Sequence, residues 1–412
     1  MAEQTFIVLY CVCAIIEAIL MCLNHKFYGD TENAIYNITS IDVLMYLTFF
    51  LLLWFTVYLF YITSKNKKGN KHGIKCFVNS RMHYFFSIWV LIYIFYTVIT
   101  GVGVVGSNRT SPYSFIFSMF DINVIFPFYY ILFREDKYHR KIFVFNIVFY
   151  SILRILQGWT GFIVNIFLYE LYFYAKRKNK KASIIKSMLL VLIILLAGAY
   201  VYKIMYPLKT AIRYNYSFSF KLAIPYDEAL SKLTSRFSTF SRGTYALFNI
   251  KEIKKWYIRE NKFLLEIQDI FRPIVPRKIM PDKDFMGLSS CIFAAACNQR
   301  ILQASSSPGI LVYIIMLFCC DPLSGIIWIF MYVSYFFIMR KICFALETIS
   351  NHQMDILYFS IIISMITTGS LNTLFSQQYM KLVFIVPLLH MFKIIKFRRN
   401  VSIASRQICN IV

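Results

Sequence analysis

The chain alternates between long apolar runs and short polar connections. Apolar runs occupy about residues 4–23, 41–63, 83–104, 113–133, 142–157, 159–175 and 187–205, and, after a long interruption, 309–340, 355–371 and 380–395. A helix needs about 20 such residues to cross the hydrocarbon core of a bilayer. The pattern predicts an all-α polytopic membrane protein with about ten transmembrane helices, or up to about twelve. The stretch 309–340, interrupted by Asp321-Pro322 and Gly325, is either one kinked crossing or two. The short apolar patch from Gly287 to Cys297 either stays outside or dips into the membrane. No internal repeat is visible, which weakens transporter folds built from inverted repeats.

The polar connections set the sidedness. Lys65, Lys67, Lys68, Lys71 and Lys75 follow the second run. Arg134, Lys137, Arg140 and Lys141 follow the fourth, and Lys176, Arg177, Lys178, Lys180 and Lys181 the sixth. The alternate connections are poor in Lys and Arg: 24–40 holds Lys26 against Asp30 and Glu32, and 105–112 holds only Arg109. Basic connections remain in the cytoplasm, so both termini are expected there, the C-terminal end carrying Lys393, Lys396, Arg398 and Arg399. Three parts follow: 1–205, a membrane bundle of seven spans; 206–307, a large external loop; and 308–412, the C-terminal spans and a basic tail.

Composition adds two exclusions. The chain is 58% hydrophobic and only 16% charged, far from a soluble domain. Its net charge of +24 lies mostly in the inter-run clusters, so it reports topology, and no nucleic-acid partner is expected. Aromatic residues make up 18%, with 41 Phe and 30 Tyr, as suits many helix ends at the lipid–water interface. The start, MAEQTF, lacks a basic leader region, so the first run is expected to be a retained span. Ten cysteines make no disulfide framework. Cys11, Cys13, Cys22, Cys319, Cys320 and Cys343 lie in or beside apolar runs, whereas Cys291 and Cys297, in the long loop, either pair or are two small buried residues.

The long loop carries most of the remaining information. It holds 16 Lys and Arg against 8 Asp and Glu, a net charge of +8 on the external face. Long loops are exempt from the positive-inside rule. The excess therefore suits either an anionic ligand or anionic lipid headgroups. Residues 226–235 and 244–271 have helical spacing, with Leu247, Ile250, Ile253, Trp256 and Tyr257 recurring on one face. Pro273, Pro276 and Pro281 then predict an extended stretch presenting Arg272, Arg277, Lys278 and Lys283. Guanidinium groups grip phosphate bidentately and keep their proton. Arg236 and Arg242, flanking a Ser/Thr-rich turn, join Arg272 and Arg277 as candidate diphosphate ligands, with Lys278 and Arg300 as further substrate contacts.

Within the runs, Glu17, Asp121 and Arg154 are the costly charges, and the assigned topology puts all three toward the outer face. They either share an outward-facing site or order helix packing. No Walker loop, H-E-x-x-H, Cys/His zinc spacing or G-x-S-x-G is present, and no cofactor or metal is expected. The histidines, at 25, 72, 83, 139, 352 and 390, lie in or near cytoplasmic segments except His25.

This layout resembles the Wzy-type O-antigen and capsular polysaccharide polymerases. The resemblance covers the whole chain in architecture: Phe/Tyr-rich spans, an Arg in the hairpin RILQGWTGF, a large basic external loop after the seventh span, and a Ser-Pro-Gly lead into the next. It implies an enzyme of the bacterial cytoplasmic (inner) membrane that joins undecaprenyl-diphosphate-linked oligosaccharides, donor and acceptor both lipid-linked, without a cofactor. It also implies a chain-length regulator and a repeat-unit flippase as partners. Arg154, Arg236, Arg242, Arg272 and Arg277 are placed like the family's external arginines. They would stabilise the diphosphate leaving group, while Asp282, Asp284, Asp121, Asp227 or Glu228 would act as base on the acceptor hydroxyl. The rival readings are an O-antigen ligase, which is expected to use an external His that the loop lacks, and a flippase for lipid-linked units, which should have evenly short loops.

Overall fold

The computed structural model describes residues 2–66, 74–104, 109, 111–159, 161–177, 184–214, 219, 223–272, 275, 279–300, 305–347, 354–370 and 382–399. Among these the protein is helical apart from one two-stranded ladder. The helices are α1 (Ala2–Asn24), α2 (Ser40–Asn66), α3 (Arg81–Thr100), α4 (Ser114–Met119), α5 (Ile122–Phe133), α6 (Arg140–Leu156), α7 (Phe162–Arg177) and α8 (Ile184–Tyr214). The loop region adds α9 (Tyr226–Phe237), α10 (Phe240–Phe248), α11 (Ile250–Arg259), α12 (Leu265–Phe271) and α13 (Leu288–Cys297). After it come α14 (Ile310–Cys320), α15 (Pro322–Glu347), α16 (Asp355–Thr368) and α17 (Leu382–Met391).

Five of these, α1, α2, α3, α8 and α15, are long and apolar enough to cross a membrane, while α5, α13, α14 and α16 are shorter apolar helices. The chain is thus a helical membrane protein by length and composition. Along α8, Leu189, Leu192, Ile193, Leu196 and Tyr200 are exposed, a continuous apolar face of the kind that lipid covers.

Several predicted runs are divided differently. The run 113–133 is two helices, because the Asp121 side chain accepts from Asn123 N at 2.9 Å and starts α5 afresh. The run 309–340, for which the Asp321-Pro322 interruption left one kinked helix or two open, is two: the Asp321 side chain caps the first turn of α15 through Ser324 N at 3.1 Å. The predicted helix 244–271 becomes α10, α11 and α12. Asn249 leaves helical geometry at φ −114°, ψ 29°, and Asn261 and Leu264 are left-handed at φ 44° and 48°. At ten residues α13 is about 15 Å long, half of a bilayer core. Cys291 and Cys297 are free thiols on that helix, six residues and about 9 Å of rise apart, beyond the reach of a disulfide.

The chain forms two compact units. One comprises Met1–Phe60, Ile166–Val333 and Ile362–Ser376, so the loop helices belong with the apolar helices beside them. Ala229, Leu233 and Phe237 make the buried stripe of α9, which packs on α8 and α1. Tyr10 of α1 stacks on Trp54 at 4.7 Å and meets the edge of Phe237 at 6.2 Å. Phe240 of α10 lies against Tyr46 and Phe50 of α2. Gly243, in the middle of α10, makes this approach possible: a Cβ there would collide with the Tyr46 hydroxyl and stand 2.9 Å from the Pro308 carbonyl oxygen. Gly243→Ala is expected to destabilise the protein by about 1–3 kcal/mol through overpacking. Thermal unfolding of the detergent-solubilised protein reads this out, and a midpoint equal to that of wild type would refute it.

The other unit comprises Tyr61–Asn165, Ser334–Ile361 and Gln377–Val412. Here α3 packs on α5 and α6. Much of the aromatic content is spent inside this bundle: Phe86 stacks on Tyr129 at 4.3 Å, and Phe126 on Tyr150 at 3.7 Å. A polar seam runs between the rings, with Asn146 donating to the Tyr129 hydroxyl at 2.8 Å and to the His83 carbonyl at 3.1 Å. Strands β1 (Ile74–Val78) and β2 (Ile395–Arg399) pair antiparallel, with Ile74 opposite Arg399 and Val78 opposite Ile395. Both lie in stretches whose charge had marked them only as basic segments.

Candidate functional site

In the first unit, the C-terminal part of α8, the second half of α9 and the turn Gly29–Thr31 enclose a cleft of about 180 Å³. Tyr202, Tyr206 and Thr210 recur every fourth residue on α8 and form one wall. Lys232, Arg236 and Arg242 supply three cations, set against Asp30 and Glu32.

The two arginines of this cleft differ. Arg242 is a strut: it donates to the Ser238 carbonyl at 2.7 Å, to the Ser235 carbonyl at 3.2 Å and to Asp30 Oδ2 at 3.3 Å. It holds the α9–α10 turn shut, and its donors are largely committed. Arg236, in the last turn of α9, is exposed and has no hydrogen bond or ion pair among the described residues. Its full fork of donors is available to an anion. Glu17 stands below this turn. It is 1% exposed and accepts from Ser241 N at 3.2 Å, so the buried carboxylate of α1 caps the first turn of α10.

A second cleft in the same unit, of about 320 Å³, is lined by Trp256, Arg259, Glu260, Lys262, Asp282, Asp284, Phe285 and Arg300. Arg300 is clamped: it reaches Glu260 at 3.1 and 3.3 Å and the Asp284 carbonyl at 2.7 Å. Asp282 pairs with Lys262 at 2.7 Å, and that hydrogen bond holds its carboxyl below the usual carboxylate range. Such a group is a poor proton acceptor at neutral pH. The exposed side chain of Asp284 has neither a hydrogen bond nor an ion pair among the described residues, so its oxygens are open to a ligand.

Arg272 serves the loop's own interior. It pairs with Asp269 at 3.0 Å and donates to the Phe285 carbonyl at 2.6 Å. Lys283 in turn donates to the Arg272 carbonyl at 2.7 Å, closing the end of α12. Arg277 and Lys278 lie outside the described residues.

Sequence reasoning passed over a buried carboxylate pair beside these groups. Glu266 and Asp269, three residues apart on α12, are 2% and 5% exposed. Glu266 accepts from Leu288 N and from the Tyr313 hydroxyl. Gly287 leaves room for the pair, since a Cβ there would stand 2.5 Å from Asp269 Oδ2. Burial, and then the neighbouring Asp269 charge, push the Glu266 carboxyl well above its ordinary range. The i,i+3 spacing of two acids was the available signal, and it reads as a solvated face until Gly287 and Tyr313 fold over it.

In the second unit, Asp121 spends Oδ1 on Asn123, its backbone N at 2.9 Å and its side-chain amide at 2.8 Å. Arg154, near the end of α6, donates to Gln157 at 2.8 Å and lies 5.5 Å from the Trp159 ring. Its Nε is buried without a hydrogen-bond partner among the described residues. The structure therefore assigns Glu17 and Asp121 helix-capping contacts, and leaves Arg154 and Arg236 with spare donors. Compared with known protein families, with curated proteins and with solved structures, the chain matches none.

Proposed function

We propose that this protein polymerises lipid-linked oligosaccharides, transferring a growing glycan from undecaprenyl diphosphate to the sugar hydroxyl of the next lipid-linked unit. The observation that carries the reading is the exposed, uncommitted Arg236 in a cleft with Lys232, Tyr202 and Tyr206 at the end of a long apolar helix. Arg236 and Lys232 beside a small cleft suit a diphosphate, and the apolar helix beside them suits its polyprenyl tail.

In the proposed reaction the acceptor hydroxyl oxygen bonds to the anomeric carbon, and the bond from that carbon to the diphosphate oxygen breaks. The hydroxyl proton passes to a carboxylate, for which Asp284 and Asp227, both exposed, are the candidates without a side-chain partner among the described residues. The electron pair leaves on the lipid diphosphate, where Arg236 and Lys232 offset the developing charge. Trp256 supplies a ring face and Glu260 and Arg300 polar groups against which a sugar can rest in the larger cleft. In this reading about ten helices cross the bacterial cytoplasmic membrane, with the loop outside and both termini inside. A Cys at Ile279, which is 75% exposed, should react with an impermeant maleimide on intact cells, and one at Tyr138, which is 96% exposed, should not. The reverse pattern would overturn the sidedness and the mechanism with it.

Deletion of the gene, followed by electrophoresis of the surface polysaccharide, tests the function. A lost long-chain ladder, with single repeat units still on the lipid anchor, is the expected result. Polymer that accumulates on its carrier without reaching the anchor would identify a ligase instead. Units trapped on the inner leaflet would identify a flippase, and an unchanged profile would end all three readings.

A further inference from the structure

In the second unit, away from the clefts described above, three metal-ligating side chains converge. His83 lies in the first turn of α3, Asp136 in the α5–α6 connection, and His139 just before α6. Their ligand atoms all lie within 4.8 Å of one another. Asp136 Oδ2 is 3.4 Å from His83 Nε2 and 3.0 Å from His139 Nδ1. Zinc bonds of about 2.0–2.1 Å at tetrahedral angles set neighbouring donors about 3.3 Å apart, which the two separations from Asp136 match, while the two imidazole nitrogens, within 4.8 Å of each other, can close on an ion by ring rotation.

The surroundings orient each donor. Asp136 Oδ1 is taken by Tyr138 N at 2.9 Å and His139 N at 3.3 Å, which turns Oδ2 toward the two rings. On the far side of the His83 ring, Nδ1 meets the Tyr129 hydroxyl at 2.7 Å, and that oxygen accepts from Asn146 at 2.8 Å. A proton on Nδ1 donated to Tyr129 leaves the Nε2 lone pair facing Asp136. This is the outer support that a metal-bound imidazole requires. His83 is fully buried, whereas the His139 and Asp136 side chains are 33% and 21% exposed. The open side gives an ion a way in and leaves a coordination position for water.

We propose that His83, Asp136 and His139 form a binding site for a divalent first-row transition ion, with zinc the best match to two imidazoles and one carboxylate. The ion ties the α5–α6 connection to the start of α3, a staple in the bundle that is independent of the polymerase reading. Binding requires both imidazoles neutral at the ligating nitrogens, and it displaces whatever proton bridges them to Asp136.

The test uses the full-length protein in detergent, purified through a tag without histidine and stripped with a chelator. Zinc is then titrated against a chromophoric competitor, and cobalt is added separately to read its visible spectrum. Wild type should take up one tight equivalent, give four-coordinate cobalt bands, and unfold at a higher temperature with zinc than without. His139→Ala and Asp136→Asn should each weaken binding at least about tenfold and abolish the thermal shift. Tyr129→Phe, which leaves all three ligands in place, should weaken it by about tenfold. If wild type binds no tight equivalent, the three side chains hold one another by hydrogen bonds alone and the proposal fails. It fails equally if the two ligand variants bind zinc as wild type does, because the ion would then sit elsewhere, for instance on cysteines.

Discussion

Arg236→Ala is expected to abolish long polymer while leaving the protein at its normal level in the membrane. The side chain is exposed and makes no hydrogen bond or ion pair among the described residues, so its removal costs the fold little. Loss of one preorganised donor to a developing anion typically slows catalysis by about a hundred- to a thousandfold. Gel electrophoresis of the surface polysaccharide, beside an immunoblot, separates the two quantities. Arg236→Lys should recover part of the activity, since it keeps the charge and loses the fork. Arg242→Ala provides the contrast. That residue holds the Ser235 and Ser238 carbonyls together, so its loss should lower the amount of folded protein as well. Wild-type chain lengths in Arg236→Ala would remove the phosphate cleft from the mechanism.

Glu266→Ala should be the most damaging single change in the loop. It strands the Leu288 amide in a buried site, at about 1–3 kcal/mol, and leaves the Tyr313 hydroxyl with Ser370 alone. Glu266→Gln keeps an acceptor and removes the repulsion from Asp269, and it should stabilise the loop at neutral and alkaline pH. The sign follows from the raised carboxyl. The folded state binds the proton more tightly than the unfolded chain does, so its advantage is complete below the ordinary carboxylate range. That advantage shrinks as pH rises from about 4.5 toward the elevated folded value. Hydrogen exchange in α12 and α13, corrected for its intrinsic pH dependence, should therefore quicken with pH in wild type and stay level in Glu266→Gln. A wild-type loop that grows more protected across that interval would contradict the buried, protonated carboxyl.

The membrane class and the long helices were legible because apolar run length is a local property. The break at Asp321 was visible beside Pro322, but those at Asp121 and Asn249 were less so. Each is a short polar residue inside an amphipathic or apolar run, and whether it caps a new helix or is tolerated depends on the neighbour it finds. The pairing of Ile74–Val78 with Ile395–Arg399 could not be read, since the alternation of Ile395, Lys396, Phe397 and Arg398 is too short to mark a strand, Ile74–Val78 has none, and more than 300 residues separate the two. The site shows the same division. Charge density drew attention to Arg236 and Arg242 alike, but only Asp30, 212 residues away in the chain from Arg242, reveals which arginine is a strut. His83 and Asp136, 53 residues apart, likewise carry no spacing signal.

The 31 residues of α8 have one further consequence. About 20 of them suffice for a hydrocarbon core, so a bilayer entered at the start of α8 would have Tyr202, Tyr206 and Thr210 at or just beyond its far boundary. A cleft at that height can be filled by sideways diffusion within the leaflet. For an occupant that carries a lipid tail, the search is two-dimensional, and the quantity that sets saturation is its mole fraction in the bilayer. Diluting the carrier with inert lipid at constant total carrier would then slow the protein, whereas diluting the whole suspension with buffer would not.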